Sequence, residues 1–138
     1  QLSNITTDAR FGYSVALSAD YVVISKPNLK EVEIYKKGSS SLEYVDKLSS
    51  DSEYFGVSVA VDGDYIVVGS LDNKVFVYKI SDNFGLFATI DGSSTAVNFG
   101  SSVAVDTDYI VVADDKEDSN KGSAYLYKIE SSSSEKRS

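Results

Sequence analysis

The densest gathering of oxygen ligands in the chain is the run Asp114-Asp115-Lys116-Glu117-Asp118-Ser119-Asn120. Carboxylates and amides collected in one loop are what a Ca2+ ion requires, and Asp114, Asp118 and Asn120 are its candidate ligands. Their spacing matches no EF-hand loop, and Lys116 and Lys121 already supply countercharge, so a solvated loop explains the run better than a weak metal site. Asp20, Asp64 and Asp108 recur in register and invite general acid–base chemistry. Each precedes a run of β-branched residues, however, where Asp serves the hydrogen bonds of a turn. Tyr21, Tyr65 and Tyr109, with Tyr35, Tyr78 and Tyr127, could offer rings to a sugar, although packing is the simpler use. The many serines have no His to activate them, and no Gly-x-Ser-x-Gly elbow or phosphate-cradling glycine loop occurs. No catalytic residue is assigned, no cofactor beyond that Ca2+ is expected, and the chain is read as not an enzyme.

Composition narrows the possibilities further. Cys and His are both absent from the 138 residues, which excludes disulfides, thiolate nucleophiles, His-bound zinc and imidazole catalysis. The net charge of −8 repels phosphate backbones and anionic lipid, so nucleic acid is not expected as a partner. No apolar run approaches the roughly 20 residues that span a bilayer, so no membrane insertion is expected in this segment. The sequon Asn4-Ile5-Thr6 makes Asn4 a candidate glycosylation site. The chain opens on Gln1 rather than Met, the mark of a processed chain or an excerpt from a longer one.

What positions these residues is a repeat. Phe11-Gly12, Phe55-Gly56 and Phe99-Gly100 stand 44 residues apart, twice over. Each is followed by Ser14-Val15-Ala16-Leu17, Ser58-Val59-Ala60-Val61 or Ser102-Val103-Ala104-Val105. Then come Asp20-Tyr21-Val22-Val23, Asp64-Tyr65-Ile66-Val67 and Asp108-Tyr109-Ile110-Val111, and each unit closes on Ile34-Tyr35-Lys36, Val77-Tyr78-Lys79 or Leu126-Tyr127-Lys128. Short β-branched and aromatic runs separated by Asp, Asn, Gly and Ser predict strands. They fall near 13–17, 21–25, 31–36 and 42–48; near 57–61, 65–69, 74–79 and 84–90; and near 101–105, 109–113 and 123–129. Val15 and Leu17 alternate with Ala16, as their counterparts do, so both faces of each sheet are apolar, one bulky and one small. A sheet sandwiched between neighbours has that pattern. Four short antiparallel strands in about 44 residues is the size of a β-propeller blade.

The expected fold is therefore all-β: three four-stranded antiparallel blades of a β-propeller, forming an open arc or part of a larger or oligomeric propeller. Residues 1–10 are the end of a preceding blade strand, since Leu2 lies nine residues before Phe11 as Ile90 lies nine before Phe99. Residues 11–54 are blade 1, 55–98 blade 2, and 99–130 an incomplete blade 3. Residues 131–138 are a flexible Ser-rich tail without strand character. Three blades cannot close a ring that needs about four to eight. Something must cover the end faces: other copies of the chain, two arcs making six blades, or a larger assembly.

The phrases Phe-Gly-x-Ser-Val-Ala, Asp-Tyr-Ile-Val-Val and the closing aromatic-Lys strand resemble the FG-GAP repeats of integrin α-chain propellers, from Phe11 through Ile129. The chain is most similar to the variant in which Gly-Asp replaces the metal loop. Ile24-Ser25-Lys26, Gly69-Ser70-Leu71 and Ala113-Asp114-Asp115 stand where the family has Gly-Ala-Pro, and Asp62-Gly63-Asp64 offers too few oxygens for Ca2+. The resemblance implies a non-catalytic extracellular or cell-surface module serving adhesion or structure through protein–protein contact and self-assembly, with strand addition at free edges as one route. A carbohydrate-binding, lectin-like propeller is the alternative. The divergent loops Pro27-Asn28-Leu29-Lys30, Asp72-Asn73 and the acidic run count against it, because a site in every repeat would need like residues.

Overall fold

A computed structural model describes residues 8–130 and the backbone of 134–137. Gln1-Leu2 and the sequon at Asn4 lie outside the described residues. Three four-stranded antiparallel sheets follow one another along the chain. The first contains β1 (Val15–Leu17), β2 (Tyr21–Lys26), β3 (Glu31–Lys37) and β4 (Leu42–Ser49). The second contains β5 (Ser58–Asp62), β6 (Tyr65–Gly69), β7 (Lys74–Lys79) and β8 (Gly85–Asp91). The third contains β9 (Phe99–Asp106), β10 (Tyr109–Asp114), β11 (Ser123–Ile129) and β12 (Ser134–Arg137). Strand order is sequential in each sheet, as hairpin-connected antiparallel strands favour.

The last strand corrects the expectation of a tail without strand character and of an incomplete third unit. Backbone of Ser134–Arg137 pairs with β11, from Ile129↔Ser134 to Leu126↔Arg137. Side-chain alternation is how a strand is read from sequence, whereas the free N–H and C=O groups along β11 accept any tethered backbone. Residues 131–133 and 138 of that segment lie outside the described residues.

Register repeats with the sequence. Val15↔Ile24, Val59↔Val68 and Val103↔Val112 are equivalent pairs, as are Val22↔Tyr35, Ile66↔Tyr78 and Ile110↔Tyr127. In the outer strands β4 and β8 one residue bulges at the same place. Ile34 and Tyr35 pair with Asp46 and Tyr44, skipping Val45, and Val77 and Tyr78 pair with Ala88 and Leu86, skipping Phe87.

The sheets stack face to face. Between the first and second lie Val23, Val32, Ile34 and Leu48 from one side and Phe55, Val59, Val61, Ile66, Val68 and Tyr78 from the other. Between the second and third, Ala60, Val67, Val75, Val77 and Ile90 meet Phe99, Ile110, Val112, Tyr127 and Ile129. The second sheet is thus apolar on both faces, bulky toward the first sheet and small at Ala60 toward the third. We call the face turned to earlier residues leading and the other trailing. Burial fails at both ends of the stack. Val15 and Leu17, on the leading face of the first sheet, are 62% and 69% exposed. Val111 and Leu126, on the trailing face of the third, are 41% and 37% exposed, while their counterparts Val67 and Val77 are fully buried.

Candidate functional site

Each internal seam is made by a Phe-Gly dipeptide pressed onto the sheet before it. Phe55 and Phe99 are fully buried, and each also stacks on a ring of its own repeat, Phe76 at 5.3 Å and Tyr125 at 5.8 Å. Gly56 and Gly100 adopt φ of +99° and +97°, conformations open to glycine. Their backbones come so close to the preceding sheet that a Cβ would stand 3.0 Å from Ser25 Cβ and 3.1 Å from Val75 Cγ2. Hydrogen bonds cross the seams as well. Val59 N–H donates to Ser14 Oγ (3.1 Å), the Ser58 hydroxyl to Gly100 O (2.7 Å), and Thr107 N–H to Asp62 Oδ2 (2.7 Å).

One rim of the stack carries the loops that lead into these dipeptides, and polar side chains tie them down. Asn73 has φ +62°, which Asn tolerates. Its Oδ1 accepts from Phe99 N–H (3.1 Å) and its Nδ2 donates to Ala96 O (3.3 Å), clamping the incoming linker. In the first repeat Lys30 takes this place, its Nζ donating to Asp51 O (2.9 Å). Asp72 accepts from the Ser70 hydroxyl (2.5 Å); burial alone would raise its pKa, but the Ser70 and Ser52 hydroxyls and the Glu53 N–H hold it below the ordinary value.

The acidic run belongs to the same rim, and its three candidate Ca2+ ligands have different surroundings. Asp114 is buried, and its carboxylate accepts from the N–H groups of Val97 (2.9 Å), Asn98 (3.1 Å) and Lys116 (3.0 Å). Asp118 lies at the surface with Lys121 at 3.2 Å, and Asn120 is exposed with its N–H on Lys116 O. Among the described residues no three acidic side chains are grouped as metal ligands.

Sequence reasoning missed Glu117. It is 4% exposed and accepts from the Ser93 and Thr95 hydroxyls (2.8 Å each) and from the Tyr125 hydroxyl. Those donors, Tyr125 foremost, then Ser93, Thr95 and Ser123, hold its pKa down at about 2. Such a carboxylate is charged at neutral pH, weakly basic, and already occupied by hydroxyls, so it suits neither half of acid–base catalysis. A cavity of about 540 Å3 opens beside it, bordered by Thr95, Val97, Ser119 and Tyr125. The only sequence signal is a coincidence: the linker that leads into the repeat with the extra acidic run carries Ser93-Ser94-Thr95.

The three repeated aspartates are turn residues on separate sheets. Their carbonyls accept from Lys37, Ile80 and Ile129 N–H at 2.6–2.8 Å, and the Asp64 carboxylate also takes Ser81 N–H (2.7 Å). Tyr35, Tyr78 and Tyr127 are buried in packing, with the Tyr78 hydroxyl pushed up to about 12 by burial, whereas Tyr109 is exposed. Where Phe76 and Tyr125 sit in the later repeats, the first has Glu33, which takes the Tyr35 hydroxyl and lies 2.7 Å from the buried Lys26. Glu31 joins them, 2.9 Å from both Lys26 and Lys47. Burial alone would lower Lys26, but the two glutamates raise its pKa above the ordinary value. Among the described residues no helix is long and apolar enough to cross a membrane.

Comparison with curated proteins found no match. Among solved structures, the computationally designed Ika4 protein is similar, at TM-score 0.62 and 15% identity over 92% of this chain and 71% of that one. Saccharomyces cerevisiae Sqt1 is similar at TM-score 0.69 and 11% identity, over 94% of this chain and 35% of that one, so this chain spans about a third of its length. These likenesses speak to fold alone. The family model described as FG-GAP repeat matches residues 48–75 and 86–127. Each matched stretch runs from the outer strand of one sheet, across a linker and its Phe-Gly, into the third strand of the next sheet. The seam is thus what the family model captures, and on that match the chain belongs to the FG-GAP repeat family.

Proposed function

We propose that this chain is a non-catalytic extracellular or cell-surface module for adhesion or structure: three blades of a propeller-type array acting through protein–protein contact and self-assembly. The observation that carries the reading is the contrast between closed and open faces. Val59 and Val61 are buried in the first seam and Val67 and Val77 in the second, while their counterparts Val15, Leu17, Val111 and Leu126 at the two ends of the stack are exposed. Exposed apolar surface of this kind marks an interaction site. The rim loops, tied by Asn73, Asp72 and Glu117, add a rigid surface on which a protein partner can dock. No metal is required in this reading, because backbone N–H groups occupy the Asp114 carboxylate.

The test is adhesion by the chain itself. Beads coated with it should bind the surface of intact cells that produce it, in buffer with or without chelator. Surface biotinylation of those cells should label it. Beads that do not bind, or a chain labelled only after lysis, would overturn the adhesive and extracellular reading.

A further inference from the structure

We infer that the open trailing face of the third sheet receives the leading end of the first sheet of a second copy, head to tail. This rests on the interaction reading above and names the partner. The chain builds the same joint twice within itself, and the leading face of its first sheet and the trailing face of its third match the two halves of that joint. The donor half is Phe11-Gly12 with Val15 and Leu17. Phe11 is half-buried where Phe55 and Phe99 are fully so, and a Cβ on Gly12 would meet nothing within 4 Å, in contrast to Gly56 and Gly100. The acceptor half is Ser102, Ala104, Val111 and Leu126, all exposed, at the positions that Ser58, Ala60, Val67 and Val77 fill when buried in the second seam. The halves differ, so the joint is heterologous: one end of a chain meets the other end of its neighbour.

Polar groups permit the same joint. Glu33 on the leading face is countered by Lys26 and the Tyr35 hydroxyl, so covering it leaves no carboxylate unpaired. The long third-repeat loop folds toward its own linker, through Glu117 to Ser93 and Thr95, which belongs to the preceding seam. It leaves Ser102, Ala104, Val111 and Leu126 on the trailing face exposed. Moving the contact of Ser14 Oγ with Val59 N–H to the chain ends sets Ser102 of one copy beside Val15 of the next.

The absence of cysteine from the 138 residues makes this testable. Val15→Cys and Ser102→Cys, both at exposed positions, are purified separately and oxidised mildly, alone and as an equimolar mixture. The mixture should give a covalent dimer on a denaturing gel, and neither variant alone should. In sedimentation velocity the wild-type chain should associate at concentrations up to about 100 μM, within the range such interfaces cover. Leu17→Asp should raise the dissociation constant at least about tenfold, since it forces a charge into the joint. A dimer from either cysteine variant alone, no dimer from the mixture, or association unchanged by Leu17→Asp would overturn the pairing. Beads that adhere while the mixture stays monomeric would refute this joint and leave the adhesive reading standing; a dimer from beads-inactive protein would do the reverse.

Discussion

Truncating Phe99 to Ala and Phe11 to Ala should have very different costs, although the two residues occupy the same place in the repeat. Phe99 is buried among Val67, Val75, Ile110 and Val112 and stacks on Tyr125. Its loss removes the transfer energy of a ring and leaves a cavity between two sheets, about 3–5 kcal/mol together. That is a large share of the roughly 5–15 kcal/mol that holds a domain folded. Phe11 is half-buried, with no sheet before it among the described residues, so its loss forfeits part of a transfer energy and opens no enclosed cavity, about 1 kcal/mol. Urea unfolding, followed by tyrosine fluorescence (ten Tyr, no Trp) and far-UV circular dichroism, reads both differences. The protein should be dilute, so that contact between copies does not add to the cost of Phe11→Ala. If Phe11→Ala then costs as much as Phe99→Ala, the dipeptide acts within its own repeat, and docking on the preceding sheet is the wrong account.

Other consequences can be measured on the same footing. A Cβ at Gly69 would fall 2.2 Å from Gly100 O and 2.4 Å from Ser58 Oγ, so Gly69→Ala should push the second and third sheets apart and cost about 1–3 kcal/mol, read as a lowered Tm. Asn73→Ala removes two hydrogen bonds to the linker and should cost about 1–2 kcal/mol, with faster amide exchange at Phe99. The Glu117 carboxyl titrates at about 2 in the fold against 4.5 ordinarily, so the unfolded chain holds more protons between those values. Stability from this group is therefore present above about 4.5 and lost as pH falls toward 2. Glu117→Gln should be less stable than wild type at neutral pH yet lose less on acidification over that window, in urea midpoints measured from pH 2.5 to 7. Millimolar Ca2+ should leave the Tm of the wild-type chain unchanged, because Asp114 is occupied by three N–H donors.

Much of this architecture is legible in one sequence because the repeat supplies three readings of each position. The run expected at 74–79 is β7 itself, and that expected at 57–61 is β5 displaced by one residue. Alternation of Val59 and Val61 with Ala60 foretells that the two sets meet different neighbours, since successive side chains of a strand point to opposite faces. The rim is less legible. Asp114 ends β10, and strand geometry turns its side chain inward to the linker, which no count of acidic residues reveals. Glu117 finds Ser93 and Thr95 across 24 and 22 residues, a pairing that exists only once the second and third sheets are stacked. β12 went unseen because its pairing is a property of the β11 backbone and not of its own side chains.

The extra residues Val45 and Phe87 have a bearing on how the molecule avoids indiscriminate clumping. A flat border strand is a template for any extended peptide, but one with a kink midway puts its amides out of step with a straight newcomer. An arriving strand would have to carry a matching irregularity to register on both sides of the kink. The flanks of the first two sheets are in this way discouraged from growing sideways into fibrils, so that extension along the stack, the direction proposed above, does not compete with growth at the sheet edges.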